Sequence, residues 1–124
     1  MTGKVAPLVL IVDDNEQNAR LARDVLRAAG LRTIEASSGA DALACARETR
    51  PAVILLDIRL PDMDGGDVAR RLKADARTRR IPVIAMTSLA LDEHSFLEAG
   101  FDAYLGKPID VRTFPDEVRR LSES

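Results

Sequence analysis

Three times along this chain a short, unbroken apolar run stops on an acid or a hydroxyl. Leu8-Val9-Leu10-Ile11-Val12 runs into Asp13-Asp14, Val53-Ile54-Leu55-Leu56 into Asp57, and Ile81-Pro82-Val83-Ile84-Ala85-Met86 into Thr87-Ser88. A strand with one wet face alternates apolar and polar residues, whereas a strand covered on both faces reads as a solid apolar run. These runs therefore predict buried parallel strands. Pro82 is tolerable because it falls near a strand start.

The stretches between the runs carry helical spacing. From Asn15 to Ala29 the residues Leu21, Val25, Leu26 and Ala29 outline one apolar stripe, with Asn15 as a candidate N-cap and Gly30 as a candidate C′ residue. Thr33–Ala36 reads as a short second strand. Ser38–Arg50 reads as a second helix with Ala42, Leu43, Cys45 and Ala46 inward, stopped by Pro51. Pro61, Gly65 and Gly66 mark a loop, after which Val68, Leu72 and Ala76 outline a third helix. Leu91–Ala99, closed by Gly100, predicts a short fourth helix, Ala103–Leu105 a fifth strand, and the remainder up to Leu121 a last helix. Five βα units imply an α/β domain with a parallel sheet and helices on both faces, because right-handed crossovers place successive helices that way.

At 124 residues, with 46% apolar residues, the chain can bury about two thirds of the surface its unfolded form exposes. The expectation is one soluble domain over 1–124, its core about 8–121, with no room for a second. The charge balance of 18 Lys+Arg against 20 Asp+Glu and the 3% aromatic content argue against a nucleic-acid binder. The basic stretch Arg70, Arg71, Lys73, Arg77, Arg79 and Arg80 is interleaved with Asp67 and Asp75 and reads as a solvated face. Cys45 stands alone, which excludes a disulfide framework and a Cys-based zinc site. It reads as a small core residue. No signal core follows Met1, and no apolar run reaches the ~20 residues of a membrane span, so a cytoplasmic location is expected. His94 has no second His, Cys or acidic motif beside it and reads as a surface residue.

In such sheets ligands bind beyond the carboxyl ends of the strands. That edge should gather Asp13, Asp14, Asp57, Thr87 and, after the fifth strand, Lys107. Two unit charges ~4 Å apart repel by about 4 kcal/mol at an effective dielectric of ~20, so three carboxylates need cations. Lys107 supplies one charge. A hard divalent metal with oxygen ligands and retained waters, Mg²⁺, suits the rest. Each residue taken singly is ordinary turn or cap chemistry. Their conjunction at strand ends, in order, is what points to a site.

From Leu8 to Leu121 the sequence resembles the receiver domains of two-component response regulators. The residues that carry the resemblance are Val12-Asp13-Asp14-Asn15, the stretch from Leu55 through Asp57 to Gly65, Met86-Thr87-Ser88 and Tyr104-Leu105-Gly106-Lys107-Pro108. The opening Asp13-Asp14-Asn15-Glu16 looks most like single-domain receivers of the chemotaxis and cell-cycle kind. The resemblance implies a doubly wound, flavodoxin-like sheet of order 2-1-3-4-5. It implies that Asp57 accepts a phosphoryl group from a sensor histidine kinase or histidine phosphotransfer protein. Asp13, Asp57 and the backbone carbonyl of Arg59 would ligate Mg²⁺, with Asp14 acting through a water. Thr87 and Lys107 would hold phosphoryl oxygens, Tyr104 would be the switch aromatic, and the Lys107-Pro108 bond would be cis. Phosphoryl transfer needs positioning and charge neutralisation more than a protein base, which agrees with such a set.

Several positions depart from the family. Thr87 lies 17 residues before Tyr104 and 20 before Lys107, a couple fewer than usual, which shortens the helix over 91–99 or its leading loop. Gly66 stands where a large apolar residue is usual, and is expected to loosen the loop beside Asp57. Pro115 would break a helix already under way. A delayed start is expected instead, with Thr113 or Phe114 as N-cap and Pro115 in the first turn. Arg59 and Leu89 lie two places after Asp57 and Thr87, positions that in the resembling family tune phosphoryl lifetime. The altered output face should not support the family's usual symmetric dimer and should serve a dedicated downstream protein partner. The functional expectation is a stand-alone, non-enzymatic phosphoacceptor that signals by partner binding or onward phosphotransfer. The alternatives are a Mg²⁺-dependent aspartyl-phosphate hydrolase, which usually wants a carboxylate where Arg59 stands, and a degenerate receiver used as a scaffold.

Overall fold

The structure, a computed structural model, describes residues 6–87, 100–107 and 109–123. The expectations for Ser88, Leu89, the helix over 91–99 with His94, and the bond to Pro108 lie outside the described residues. The elements run β1 (Leu8–Val12), α1 (Glu16–Ala28), β2 (Arg32–Ala36), α2 (Gly39–Thr49), β3 (Val53–Asp57), α3 (Gly65–Ala74), β4 (Val83–Thr87), β5 (Ala103–Gly106) and α4 (Phe114–Ser122). The five strands form one parallel sheet in the order β2-β1-β3-β4-β5. Among the described residues no helix is long and apolar enough to cross a membrane.

Successive strand residues point to opposite faces, and both faces are covered. Leu10, Val12, Ile54, Leu56, Val83 and Ala85 pack with α2 and α3 residues such as Leu43, Val68 and Leu72. Their strand neighbours Val9, Ile11, Val53, Leu55, Ile84 and Met86 pack with Leu26, Phe114 and Val118 of α1 and α4. Full burial of each large side chain contributes about 1.5–3 kcal/mol, which is why the solid runs form the centre of the sheet.

The local punctuation follows the sequence. Asn15 caps α1 by accepting from the Asn18 amide at 3.1 Å, and Gly30 takes φ +89 after its end. Thr113 is the N-cap of α4 and Pro115 lies in its first turn. β2 begins one residue early at Arg32, and β4 runs Val83–Thr87, with Ile81 and Pro82 ahead of it.

Some side chains differ from the expectation. Leu21 is 45% exposed; α1 buries Ala19, Ala22 and Leu26 instead, because small alanines let the helix approach the sheet closely. Cys45 is half-buried at the margin of the core. Gly65 and Gly66 are not loop residues but the first turn of α3, and the Gly66 amide is held by Asp64. Helix α3 ends at Ala74, leaving Ala76 exposed. The reason is Asp75, whose Oδ1 accepts the Arg77 amide at 2.9 Å and turns the chain out of the helix. Thr78 is buried in its place, donating to the Leu72 carbonyl at 2.7 Å. Lys73 also leaves the solvated face: its ammonium donates to Asp102 at 2.7 Å and to the Ile81 carbonyl at 2.9 Å.

The Arg77 guanidinium and amide, with Arg47 of α2, hold the Asp75 carboxyl well below the usual carboxylate range. A depressed carboxyl stabilises the fold above its unfolded value of ~3.9, and that contribution is lost as pH falls toward the folded value. Asp75→Asn should therefore lower the melting temperature at pH 7, and the gap should narrow progressively below about pH 4. Thermal melts across that range check this, and a pH-independent gap contradicts it.

Candidate functional site

Parallel strands present all their carboxyl ends on one edge, so the residues that follow them converge. Val12 pairs with Leu56, Asp57 with Met86 and Thr87 with Gly106. This register sets Asp13-Asp14, Asp57, Thr87 and Lys107 side by side. One carboxylate oxygen from each of Asp13, Asp14 and Asp57 lies within 4.8 Å of the others. The Lys107 ammonium donates to Asp13 Oδ2 at 3.3 Å and to Asp57 Oδ2 at 3.2 Å. Its own backbone amide is fixed on the Thr87 carbonyl at 2.8 Å.

Asp13 and Asp57 are held alike. Each gives one oxygen to the ammonium and the other to a backbone amide two residues on, Asn15 at 2.9 Å for Asp13 and Arg59 at 3.0 Å for Asp57. Their side chains are 9% and 13% exposed, and that of Lys107 is 20% exposed. Asp14 is exposed and leaves the cluster open on one side. Burial pushes the Asp13 carboxyl above its usual value, and the charge of Asp57 adds to this; the Asn15 amide and Lys107 pull the other way.

The structure thus brings together Asp13, Asp14, Asp57 and Lys107, with the Arg59 backbone on Asp57. Thr87 is buried at the end of β4, one register position beyond Asp57. Tyr104 lies on β5, 45% exposed, and is not part of the carboxylate cluster. Spacing missed the residues that shape the loop after Asp57. The backbones of Arg59 and Asp64 pair in an isolated antiparallel β-bridge, the Gly65 amide donates to the Ile58 carbonyl at 2.9 Å, and Asp62 accepts from two amides of α2. The Asp64-Gly65 pair carried a detectable N-cap signal. Asp62 carried none, because its partners are 23 and 22 residues away.

Residues 9–119 match the family model of the response regulator receiver domain. The chain belongs to this family. It is 45% identical over 113 residues to the polar-differentiation response regulator DivK of Brucella anthropi, covering 90% of this chain and 92% of the relative. Brucella ovis DivK matches to the same extent. Among solved structures, the receiver domain of the sensor histidine kinase PA1611 of Pseudomonas aeruginosa superposes with a TM-score of 0.87 at 33% identity. It covers 96% of this chain and 99% of that one, and that protein has a magnesium ion coordinated in its active-site cleft. A response regulator of Chloroflexus aurantiacus superposes at 0.88 with 29% identity, over 96% and 99% of the two chains.

The protein is therefore a phosphoacceptor module of two-component signalling, with a five-stranded receiver fold. Its carboxylate cluster is consistent with a Mg²⁺ site. The donors are oxygens only, and one side is open for water or a phosphoryl group, which is the kind of site a hard octahedral cation takes.

Gly65 tests how tightly the site is built. A Cβ there would fall 2.6 Å from Ile58 Cα and 2.7 Å from the Asp57 carbonyl oxygen, both backbone. Gly65→Ala should cost about 1–3 kcal/mol, since overpacking must be relieved by moving backbone. Urea denaturation measures it, and a midpoint equal to the parent's contradicts the close approach.

Proposed function

We propose that Asp57 is the phosphoacceptor and that residues 1–124 act as one receiver domain, with a core of about 8–121. The observation that carries this is the Lys107 ammonium bridging Asp57 and Asp13 at the carboxyl edge of the sheet. The donor is a phosphohistidine of a sensor kinase or phosphotransfer protein in the cytoplasm. An Asp57 carboxylate oxygen attacks phosphorus, the phosphorus–imidazole nitrogen bond breaks, and the leaving imidazole keeps the electron pair. Lys107, already 3.2 Å from Asp57, turns to a phosphoryl oxygen as the negative charge moves outward. The Thr87 hydroxyl takes another such oxygen, and Tyr104 on the neighbouring strand follows it, changing the surface offered to a downstream protein.

Asp13, Asp57 and the Arg59 carbonyl would hold Mg²⁺, with Asp14 beside them through a water. When bound, the ion neutralises charge on the phosphoryl oxygens. The chain's own chemistry is limited to forming and losing this one phosphate. In support, Arg59 occupies the place two after Asp57 where a small-ester hydrolase would carry a second acid. A groove lined by Leu21, Ala22, Met86 and Ile109 adjoins Asp13 and Lys107 and offers an apolar seat for the donor protein.

Asp57→Asn should abolish the phosphate adduct formed with Mg²⁺ and acetyl phosphate, read by intact mass. Its stability should stay level or rise slightly, since one of several crowded charges is removed. Retention of the full adduct overturns the assignment.

Mg²⁺ should raise the melting temperature by binding the folded chain alone, and Asp13→Ala should remove most of that shift. The raised Asp13 carboxyl sets the pH dependence. The folded chain takes this proton more readily than the unfolded one, so the native state gains from it below ~3.9 and loses it as pH rises through the folded value. Stabilisation by Mg²⁺ runs oppositely and should grow as Asp13 ionises. A full shift in Asp13→Ala contradicts the ligand set.

A further inference from the structure

Asp62 lies five residues beyond Asp57, on the loop that carries Ile58 and Arg59. Its carboxylate spans to another element: Oδ1 accepts the Gly39 amide at 2.8 Å and Oδ2 the Ala40 amide at 3.0 Å, both in the first turn of α2. These amides hold the Asp62 carboxyl below the usual carboxylate range. With Ser38 accepting from the Asp41 amide at 3.2 Å and the Ala42 amide on the Ser38 carbonyl at 3.0 Å, the first four amides of α2 are satisfied. Two of those four depend on a residue of the loop beside the site.

The apolar side of the same loop is locked to the same turn. Met63 packs on the core with Ile58 and Leu60, and its side chain lies so close to Gly39 that a Cβ there would overlap Met63 Cγ. At its ends the loop is closed by the antiparallel backbone bridge between Arg59 and Asp64 and by the Gly65 amide on Ile58. The Asp62 carboxylate is therefore the lateral tie of a closed loop whose Arg59 amide holds Asp57 Oδ1 at 3.0 Å.

We propose that Asp62 is a positioning residue for the phosphoacceptor. By anchoring the loop on α2 it fixes the Arg59 backbone relative to Asp57, so that the acceptor oxygen and the neighbouring carbonyl do not have to be ordered at the moment of transfer. This rests on the reading of Asp57 as the phosphoacceptor. The tie does not touch the reacting atoms and acts through the loop, as outer partners of metal and catalytic ligands do.

The test measures the rate of adduct formation with acetyl phosphate at a temperature where every variant is folded, and the Mg²⁺ concentration giving half of the full rise in melting temperature. Asp62→Ala should slow phosphorylation and raise that Mg²⁺ concentration, together by roughly tenfold. Asp62→Asn keeps one acceptor oxygen and should fall between. Ser38→Ala frays the same helix end without cutting the tie, and should lower the melting temperature while leaving rate and Mg²⁺ dependence as in the parent. An unchanged rate and Mg²⁺ dependence in Asp62→Ala overturns the inference, as does equal slowing by Ser38→Ala. A parent protein that takes no phosphate removes the phosphoacceptor reading and this inference with it; a parent that does leaves the Asp62 comparison decisive.

Discussion

One ammonium stands between two carboxylates and offsets part of their mutual repulsion. At 3.2–3.3 Å and an effective dielectric of ~20, the Coulomb attraction of Lys107 to each of Asp13 and Asp57 is about 5 kcal/mol before the cost of desolvating the charges. The three carboxylate oxygens, all within 4.8 Å of one another, repel in turn, and solvent at the exposed Asp14 screens its share. One positive charge faces three carboxylates, so the repulsion is only partly offset. The cluster is thus held together while keeping excess negative charge; the upward push on Asp13 comes first from burial, with the charge of Asp57 adding to it. A site left in this balance responds strongly to a divalent cation and to a phosphoryl group, because either one changes which contacts Lys107 makes.

The sheet makes this crowding possible. Strands β1, β3 and β4 are covered by helices on both faces, and their apolar side chains anchor the backbone rigidly up to the last residue before the charges begin. The carboxylates then sit at strand ends, where one oxygen of each can be held by the backbone amide two positions on. Rigidity on one side and open solvent beyond Asp14 on the other are both consequences of where the strands stop. The loop after Asp57 extends that rigidity: Asp64 starts α3, Gly65 presses on Ile58, and Asp62 reaches α2.

Local signals in the sequence were reliable wherever a feature depends on a few neighbouring residues. The solid runs marked β1, β3 and β4; Asn15 and Gly30 bounded α1; Pro115 delayed the last helix. Leu21 was misread because periodicity alone admits two overlapping stripes, 21/25 and 22/26, and only the sheet beneath selects between them. Ala76 lies outside the helix because the Asx turn at Asp75, held by the amide and guanidinium of Arg77 and reinforced by Arg47 from another helix, competes with one more helical turn.

The sequence by itself determined that β1, β3 and β4 would be buried parallel strands with Asp13, Asp14, Asp57 and Thr87 at their ends, because burial on two faces and the end of an apolar run are written in consecutive residues. Tertiary structure alone decided which charges touch. Lys107 meets Asp13 across 94 residues and Asp57 across 50, and Asp62 meets Gly39 across 23. Those separations carry no periodic or local signal; they close only when the order β2-β1-β3-β4-β5 and its register bring the strand ends together, since Coulomb and hydrogen-bond energies depend on distance in space and not along the chain.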